Sequence, residues 1–158
     1  MNTDILETNT EALDDLRGRF LTFLIDQTFY GIELLHVIEI ISIQPITPVP
    51  SLPYYIKGII NLRGKVVPVI DVRLKFGQEE RSYDDKTCII IVLVEEMQVG
   101  LIVDRVAEVV TIGEDESNTP PELGRGSERY LASIAKVGER VILNIDCDKF
   151  FQSDLQLY

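Results

Sequence analysis

Tyr30-Gly-Ile-Glu-Leu-Leu-His-Val-Ile-Glu-Ile-Ile41 reads against Val99-Gly-Leu-Ile-Val-Asp-Arg-Val-Ala-Glu-Val-Val110. Gly31 meets Gly100, Val37 meets Val106 and Glu39 meets Glu108. Further along, Tyr55-Ile-Lys-Gly-Ile-Ile-Asn-Leu-Arg-Gly-Lys-Val-Val-Pro-Val-Ile-Asp71 reads against Tyr130-Leu-Ala-Ser-Ile-Ala-Lys-Val-Gly-Glu-Arg-Val-Ile-Leu-Asn-Ile-Asp146. An internal repeat governs the architecture and has to be settled before any fold is considered. Both copies consist of short apolar runs bounded by Gly and Pro, with little helix. That pattern predicts small barrels or a sandwich, and two copies predict two small barrels packed by their apolar faces. A groove and a pseudo-two-fold between them are natural places for partners.

Within the first copy, strands are expected at Arg19 to Ile25 and Phe29 to Ile32. A helical turn is expected over Leu34 to Glu39, and strand again at Ile40 to Ile43. Pro45, Pro48, Pro50 and Pro53 enforce an extended surface loop, because proline removes a backbone donor and restricts its predecessor. Ile59 to Leu62 and Val66 to Ile70 form a hairpin whose turn takes its positive φ from Gly64. Asp71 can cap a short helix, Val72 to Phe76, closed by Gly77. Gln78 to Lys86 links the copies, and Asp146 precedes a second short helix, Cys147 to Gln152. The expected organisation is an acidic, mobile tail at 1–17 and one domain at 18–151, its first barrel at about 19–77 and its second at about 87–151.

At 158 residues the chain is long enough for one core of useful size. Its net charge of −11 disfavours nucleic acid and anionic membrane surfaces, which are held by Lys and Arg. Cys88 and Cys147 stand in apolar runs and read as buried thiols. There is no basic-then-apolar leader, and the longest apolar run, Cys88 to Val94, is too short to span a bilayer. The expected location is cytoplasmic, with no membrane insertion.

Catalytic chemistry is hard to find. His36 is the only histidine. There is no Gly-x-Ser-x-Gly elbow, and no cysteine spacing suits a metal. Gly58 with Gly64-Lys65 fails as a phosphate loop: the spacing is one too long, Val66 stands at the magnesium-ligand position, and a strand follows. Asp71 with Asp104, or Glu39 with Glu108, could pass for paired carboxylates, but the repeat accounts for Glu39 and Glu108 as equivalent positions. No catalysis, cofactor or metal is expected. The unusual feature is Arg63, a cation at a hairpin tip in the first copy only, since Gly138 lies opposite it in the second. Glu39 is its expected counter-ion. The pair reads either as a partly buried structural bridge or as a partner contact, and both can hold.

Tyr30-Gly-Ile, Val37-x-Glu39-Ile40, Pro53-x-x-Ile56-Lys57-Gly58-x-Ile60-Asn61-Leu62-Arg63-Gly64, Val66-x-Pro68-Val69-Ile70-Asp71-x-Arg73 and Gly100-x-x-Val103-Asp104 resemble the CheW family of chemotaxis coupling proteins. The likeness runs from Arg19 to Phe151. It implies an all-β fold of two SH3-like five-stranded barrels with short helices at the repeat ends. It further implies a non-enzymatic adaptor that bridges methyl-accepting chemoreceptors to the regulatory domain of a CheA-type histidine kinase, monomeric when alone. The receptor's helical signalling tip would dock in the inter-barrel groove, with Val37, Glu39, Ile40, Gly58, Arg63, Gly100 and Val109 as the implied receptor-side positions. Ile46, Val49 and Leu123 are the implied kinase-side positions. Ser133 stands where the family often has Gly, and Leu123 where it often has Phe. Other readings are a CheW-like scaffold for a variant chemosensory or motility kinase pathway, and a small-molecule-binding β-barrel, which would need a closed pocket with convergent polar groups.

Overall fold

In β1 (Arg19–Ile25), Leu21, Phe23 and Ile25 point to one face while Thr22 and Leu24 point to the other, and all five are buried. A strand buried on both faces must lie between two cores. The computed structural model, which describes residues 16–120 and 129–152, shows how this comes about. The expected tail at 1–17 lies almost wholly outside the described residues, as does Leu123.

Among the described residues eleven strands form two sheets. After β1 come β2 (Thr28–Glu33), a 3-10 turn at Leu34–His36, β3 (Val37–Ser42), β4 (Ile56–Leu62), β5 (Lys65–Asp71) and helix α1 (Val72–Lys75). The second copy supplies β6 (Cys88–Val94), β7 (Met97–Val103), β8 (Arg105–Thr111), a 3-10 turn at Glu114–Glu116, β9 (Ser117–Asn118), β10 (Leu131–Val137), β11 (Arg140–Ile145) and helix α2 (Cys147–Phe151). One sheet has the order β8-β1-β2-β11-β10-β9 and the other β3-β6-β7-β5-β4.

The sheets therefore do not coincide with the repeats. Each takes its central hairpin from one copy and its flanking strands from the other. By the sequence match β1 corresponds to β6, β2 to β7, β3 to β8, β4 to β10 and β5 to β11. Exchanging those labels turns one sheet order into the other, apart from the short extra β9. The parallel crossings agree in register: Gly31 lies beside Asn144 and Gly100 beside Val69, equivalent residues in both members. Two all-β barrels are present, but the expected limits of 19–77 and 87–151 are redrawn. The half containing β1 is built from residues of both copies, and so is the half containing β3. The repeated hairpins carry the same pattern, so the sequence match by itself does not say which copy's strands each one joins.

Each half has a core of its own. Ile60, Leu62, Val67, Val69, Ile89, Ile91 and Ile102 fill one, and Ile112, Ala135 and Ile142 the other. The largest core lies between them, where Phe23, Tyr30, Ile32, Ile70, Ile90, Leu101, Phe150 and Phe151 meet. The exchanged hairpins are buried on both faces because they separate these cores. Both helices begin as expected: Asp71 accepts from the Leu74 N–H and Asp146 from the Lys149 N–H. The turn expected over Leu34 to Glu39 is shorter, three residues of 3-10 helix, and Val37 already belongs to β3. The proline loop is pinned at one point, where Thr47 and Ile59 exchange two backbone hydrogen bonds of 2.9 Å.

Candidate partner-binding site

β3 is an edge strand with one face turned outward. Ile38 and Ile40 are exposed, Leu35 is exposed just before them, and Val37, Glu39 and Ile41 are half-buried. The equivalent edge strand β8 exposes Ala107 and Val109. Large aliphatic side chains at successive outward positions of an edge strand mark a contact surface. β3 and β8 are equivalent edge strands, one in each half, and both carry outward aliphatic side chains.

Glu39 is bonded to Arg63 as expected, but the pair is not buried. The Arg63 side chain is 70% exposed and that of Glu39 26%. Such a pair is worth roughly 0–1 kcal/mol. At the hairpin tip Gly64 has the expected positive φ, 83°, and Arg63 shares it at 50°. The Gly64 N–H donates to Asn61 Oδ1 at 3.0 Å and closes the turn. Nor is an ion pair confined to the first copy. Glu108 accepts from Arg140 Nη1 at 2.7 Å, and the Arg140 guanidinium lies 4.1 Å from the Phe29 ring centre. Arg140 matches Lys65, not Arg63, which is why comparison at the Arg63 position missed it.

Gly58 and Gly100 are buried. Gly58 has φ +142°, and a Cβ there would stand 2.1 Å from the Thr47 carbonyl oxygen. A Cβ at Gly100 would meet Ile89 and Val69 side-chain atoms at 2.8 Å. Both act on the backbone, Gly58 by admitting the proline loop and Gly100 by closing the parallel crossing. Ile46 packs against the core of the half containing β3, whereas Val49 is exposed.

Sequence reading missed an ionic latch. Arg73, whose side chain is only 8% exposed, donates to both Asp26 oxygens at 3.0 and 2.8 Å and also to Asp104. The Asp26 N–H donates to Asp104 Oδ2 at 2.6 Å, and Arg81 approaches both carboxylates. Hydrogen bonding from Arg73 holds the Asp26 carboxyl below its ordinary range. The latch joins the β1–β2 turn, α1 and the β7–β8 junction. Arg73 and Asp104 both stand in the motifs that carry the resemblance, but nothing in their spacing pairs them. Nearby, Tyr83 donates to Asp71 Oδ2 at 2.7 Å, and burial pushes its phenol well up. The inter-repeat linker is thereby fastened to the fold.

The cavity under this linker, lined by Asp71, Arg73, Tyr83 and Asp104 among others, measures about 30 Å³, room for little more than a water molecule. Two larger hollows, of about 570 and 520 Å³, are open troughs at the surface. Among the described residues no three His, Cys, Asp or Glu side chains gather as a metal site, and no helix is long and apolar enough to cross a membrane.

The CheW-like domain family matches residues 19–155. The chain belongs to the CheW-like family. It is 35% identical to the chemotaxis protein CheW of Klebsiella aerogenes, over 85% of this chain and 82% of that one. It is 34% identical to the chemotaxis protein CheW of Bacillus subtilis, over 82% and 84% respectively. The crystal structure of the scaffolding protein CheW from Thermoanaerobacter tengcongensis superposes with a TM-score of 0.80 at 34% identity, covering 87% of this chain and 94% of that one. The expected family and fold class stand, and with them the chemotaxis adaptor class.

Proposed function

We propose that this CheW-like chain works in the cytoplasm as a non-catalytic coupler between methyl-accepting chemoreceptors and the regulatory domain of a CheA-type histidine kinase. The observation that carries the reading is the exposed aliphatic row formed by Leu35 in the 3-10 turn and Ile38 and Ile40 on β3, repeated in reduced form by Val109 on β8. A helical receptor tip docks through apolar side chains at helical spacing, and an aliphatic strand face suits such a helix. Val37 and Glu39 underlie that row, and Arg63 flanks it through its bond to Glu39. The kinase side is assigned to the proline loop at Val49, with Ile46 holding the loop to its barrel, and to Leu123. The protein is a monomer until these partners assemble it.

Titration of the purified chain with a receptor signalling-tip peptide and with the kinase regulatory domain, separately and together, tests the proposal. Both should bind, and both should occupy one molecule at once. Mutually exclusive binding, or no binding of either, overturns it. Ile40→Asp should weaken the receptor peptide and spare the kinase domain, because it places a charge on the exposed row without touching the core.

A further inference from the structure

The sequence match that sets Asp71 on Asp146 also sets Lys75 on Phe150. The two residues are neighbours in space. Lys75 is 5% exposed, and its ammonium donates to the Phe150 carbonyl oxygen. It lies 4.5 Å from the Phe150 ring centre, 4.9 Å from that of Tyr55 and 5.4 Å from that of Tyr130. Lys75 and Tyr55 belong to the half containing β3. Tyr130 and Phe150 belong to the half containing β8. A buried cation thus reaches from one half onto two rings and a carbonyl of the other.

The second copy shows that an aromatic residue serves at this position, so burial alone does not call for a lysine. Apolar contact is non-directional and lets two packed sheets settle at a range of angles. A cation over ring faces and on one oxygen has a narrow geometry. Buried polar groups of this kind are best attested as devices that select one arrangement among several apolar ones. The surrounding rings, Phe76 with Tyr130 at 6.0 Å and Tyr130 with Phe150 at 5.3 Å, give the lysine a fixed frame.

We propose that Lys75 is a positioning residue that sets the angle between the two halves, and through it the relative placement of the β3 and β8 edges on which coupling depends. The functional part rests on the adaptor reading above; the geometric part does not.

Spin labels at Ser42 and Thr111, exposed equivalent positions on β3 and β8, report the angle in a Cys88→Ser background. Cys147 is left unlabelled, because its thiol is buried and pushed up to about 12. The full chain should give one narrow distance distribution. Lys75→Met, which keeps the length and removes the charge, should melt cooperatively within about 5 °C of the parent. Its distance distribution should broaden or shift. Its affinity for the receptor-tip peptide alone and for the kinase regulatory domain alone should each stay within about threefold, while receptor-dependent kinase activity falls about tenfold. An unchanged distribution overturns the proposal, and so does a loss of each separate affinity as large as the loss of coupling. If Lys75→Met does not fold, Tyr130→Leu removes one wall of the cage and is judged by the same readings. If the unsubstituted chain binds neither partner, the adaptor reading fails, while the distance measurement, made without partners, still decides the role of Lys75.

Discussion

Gly58 and Ser133 occupy the same place in the two halves, and so do Val69 and Asn144, Ile91 and Thr22. The half containing β3 uses the apolar or minimal member each time. The half containing β8 uses the polar one. Thr22 Oγ1 donates to the Glu108 carbonyl at 2.6 Å and accepts from the Glu108 N–H at 3.0 Å, which satisfies the backbone where β1 and β8 slip register. Asn144 Nδ2 donates to Ser133 Oγ at 3.1 Å, while its buried Oδ1 has no partner among the described residues. One strand order is thus stabilised in two ways, one half by a well-filled aliphatic core and the other by a smaller core with polar stitching. The shared pattern of the two copies supplies the order, and the residues that differ between them decide what fills it.

Making the halves alike at Gly58 should have the largest effect. Gly58→Ser copies the second half into the first. The second half tolerates Ser133, but at Gly58 the new Cβ meets the Thr47 backbone and φ is one that L residues rarely adopt. A loss of about 3 kcal/mol or more is expected, since backbone strain alone costs about 1–3. Thermal melting checks it; the reverse change, Ser133→Gly, strains no backbone but strands the Asn144 amide that donates to Ser133 Oγ, and should cost about 1–2 kcal/mol. If Gly58→Ser melts like the parent, the crossing of loop and strand has been wrongly described.

Next comes the latch, which has no counterpart across the repeat because Asp148 stands at the Arg73 position. Arg73→Ala removes the buried partner of Asp26 and Asp104 and leaves them only the more distant, exposed Arg81. A fully buried pair would lose about 3–5 kcal/mol, but the carboxylates are partly in water, so about 2 kcal/mol is expected. The loss should depend on pH. Asp26 has a lowered folded pKa, so its stabilising contribution is present above its unfolded value near 4 and disappears as pH falls through the folded value. The gap in melting temperature between parent and Arg73→Ala should therefore be full at pH 7 and narrow below about pH 4. A gap that is constant down to pH 2 would show that Arg73 stabilises by packing.

The repeat, the helix caps at Asp71 and Asp146, the proline loop and the Arg63-Gly64 turn could all be read from local pattern, because each depends on residues close in sequence. The exchange of hairpins could not. Gly31 pairs with Asn144 and Gly100 with the equivalent Val69, and a pattern repeated in both copies carries no information on which copy pairs with which. The burial of Arg63 was misjudged because the strands flanking it are apolar, while the tip itself stands clear of the barrel. The latch joins residues from three distant turns, and no periodicity links them. In the candidate site, Ile40 and Val109 followed from the resemblance, whereas the neighbouring exposure of Leu35 and Ile38 needed the strand's actual facing.

A smaller effect, of opposite sign, is expected at Asn144. Its Oδ1 is buried without a partner among the described residues, which carries a desolvation cost, and the equivalent Val69 packs without one. Asn144→Val should stabilise by about 1 kcal/mol, more securely in combination with Ser133→Gly, which removes the hydroxyl that would lose its donor. Denaturant unfolding measures this through the midpoint at constant slope. Destabilisation by either route would show that the site holds a bound water that Asn144 needs.

The smallest effect is the most informative about function. Glu39 with Arg63 and Glu108 with Arg140 are surface ion pairs built at different positions of the two copies. Each should contribute about 0–1 kcal/mol and weaken with salt. A double-mutant cycle on Arg63→Ala and Glu39→Ala should return a coupling energy of that size, in melts run at low and high salt. Alanine is the right replacement, because glycine at a φ of 50° would relieve backbone strain and mask the loss. The contribution of Arg63 to folding is thus small by geometry, and that isolates any other role it has. If receptor-dependent kinase activity falls severalfold in Arg63→Ala while the melt hardly moves, the guanidinium, 70% exposed, is a partner contact, and Glu39 holds it in place. A matching cycle on Arg140→Ala and Glu108→Ala gives the control that the duplication supplies: the same kind of pair, on the edge with the sparser aliphatic row. Equal losses of activity from both cycles would mean that both edges meet the receptor tip. No loss from either would reduce the two pairs to surface chemistry and leave the aliphatic residues of β3 to carry the contact.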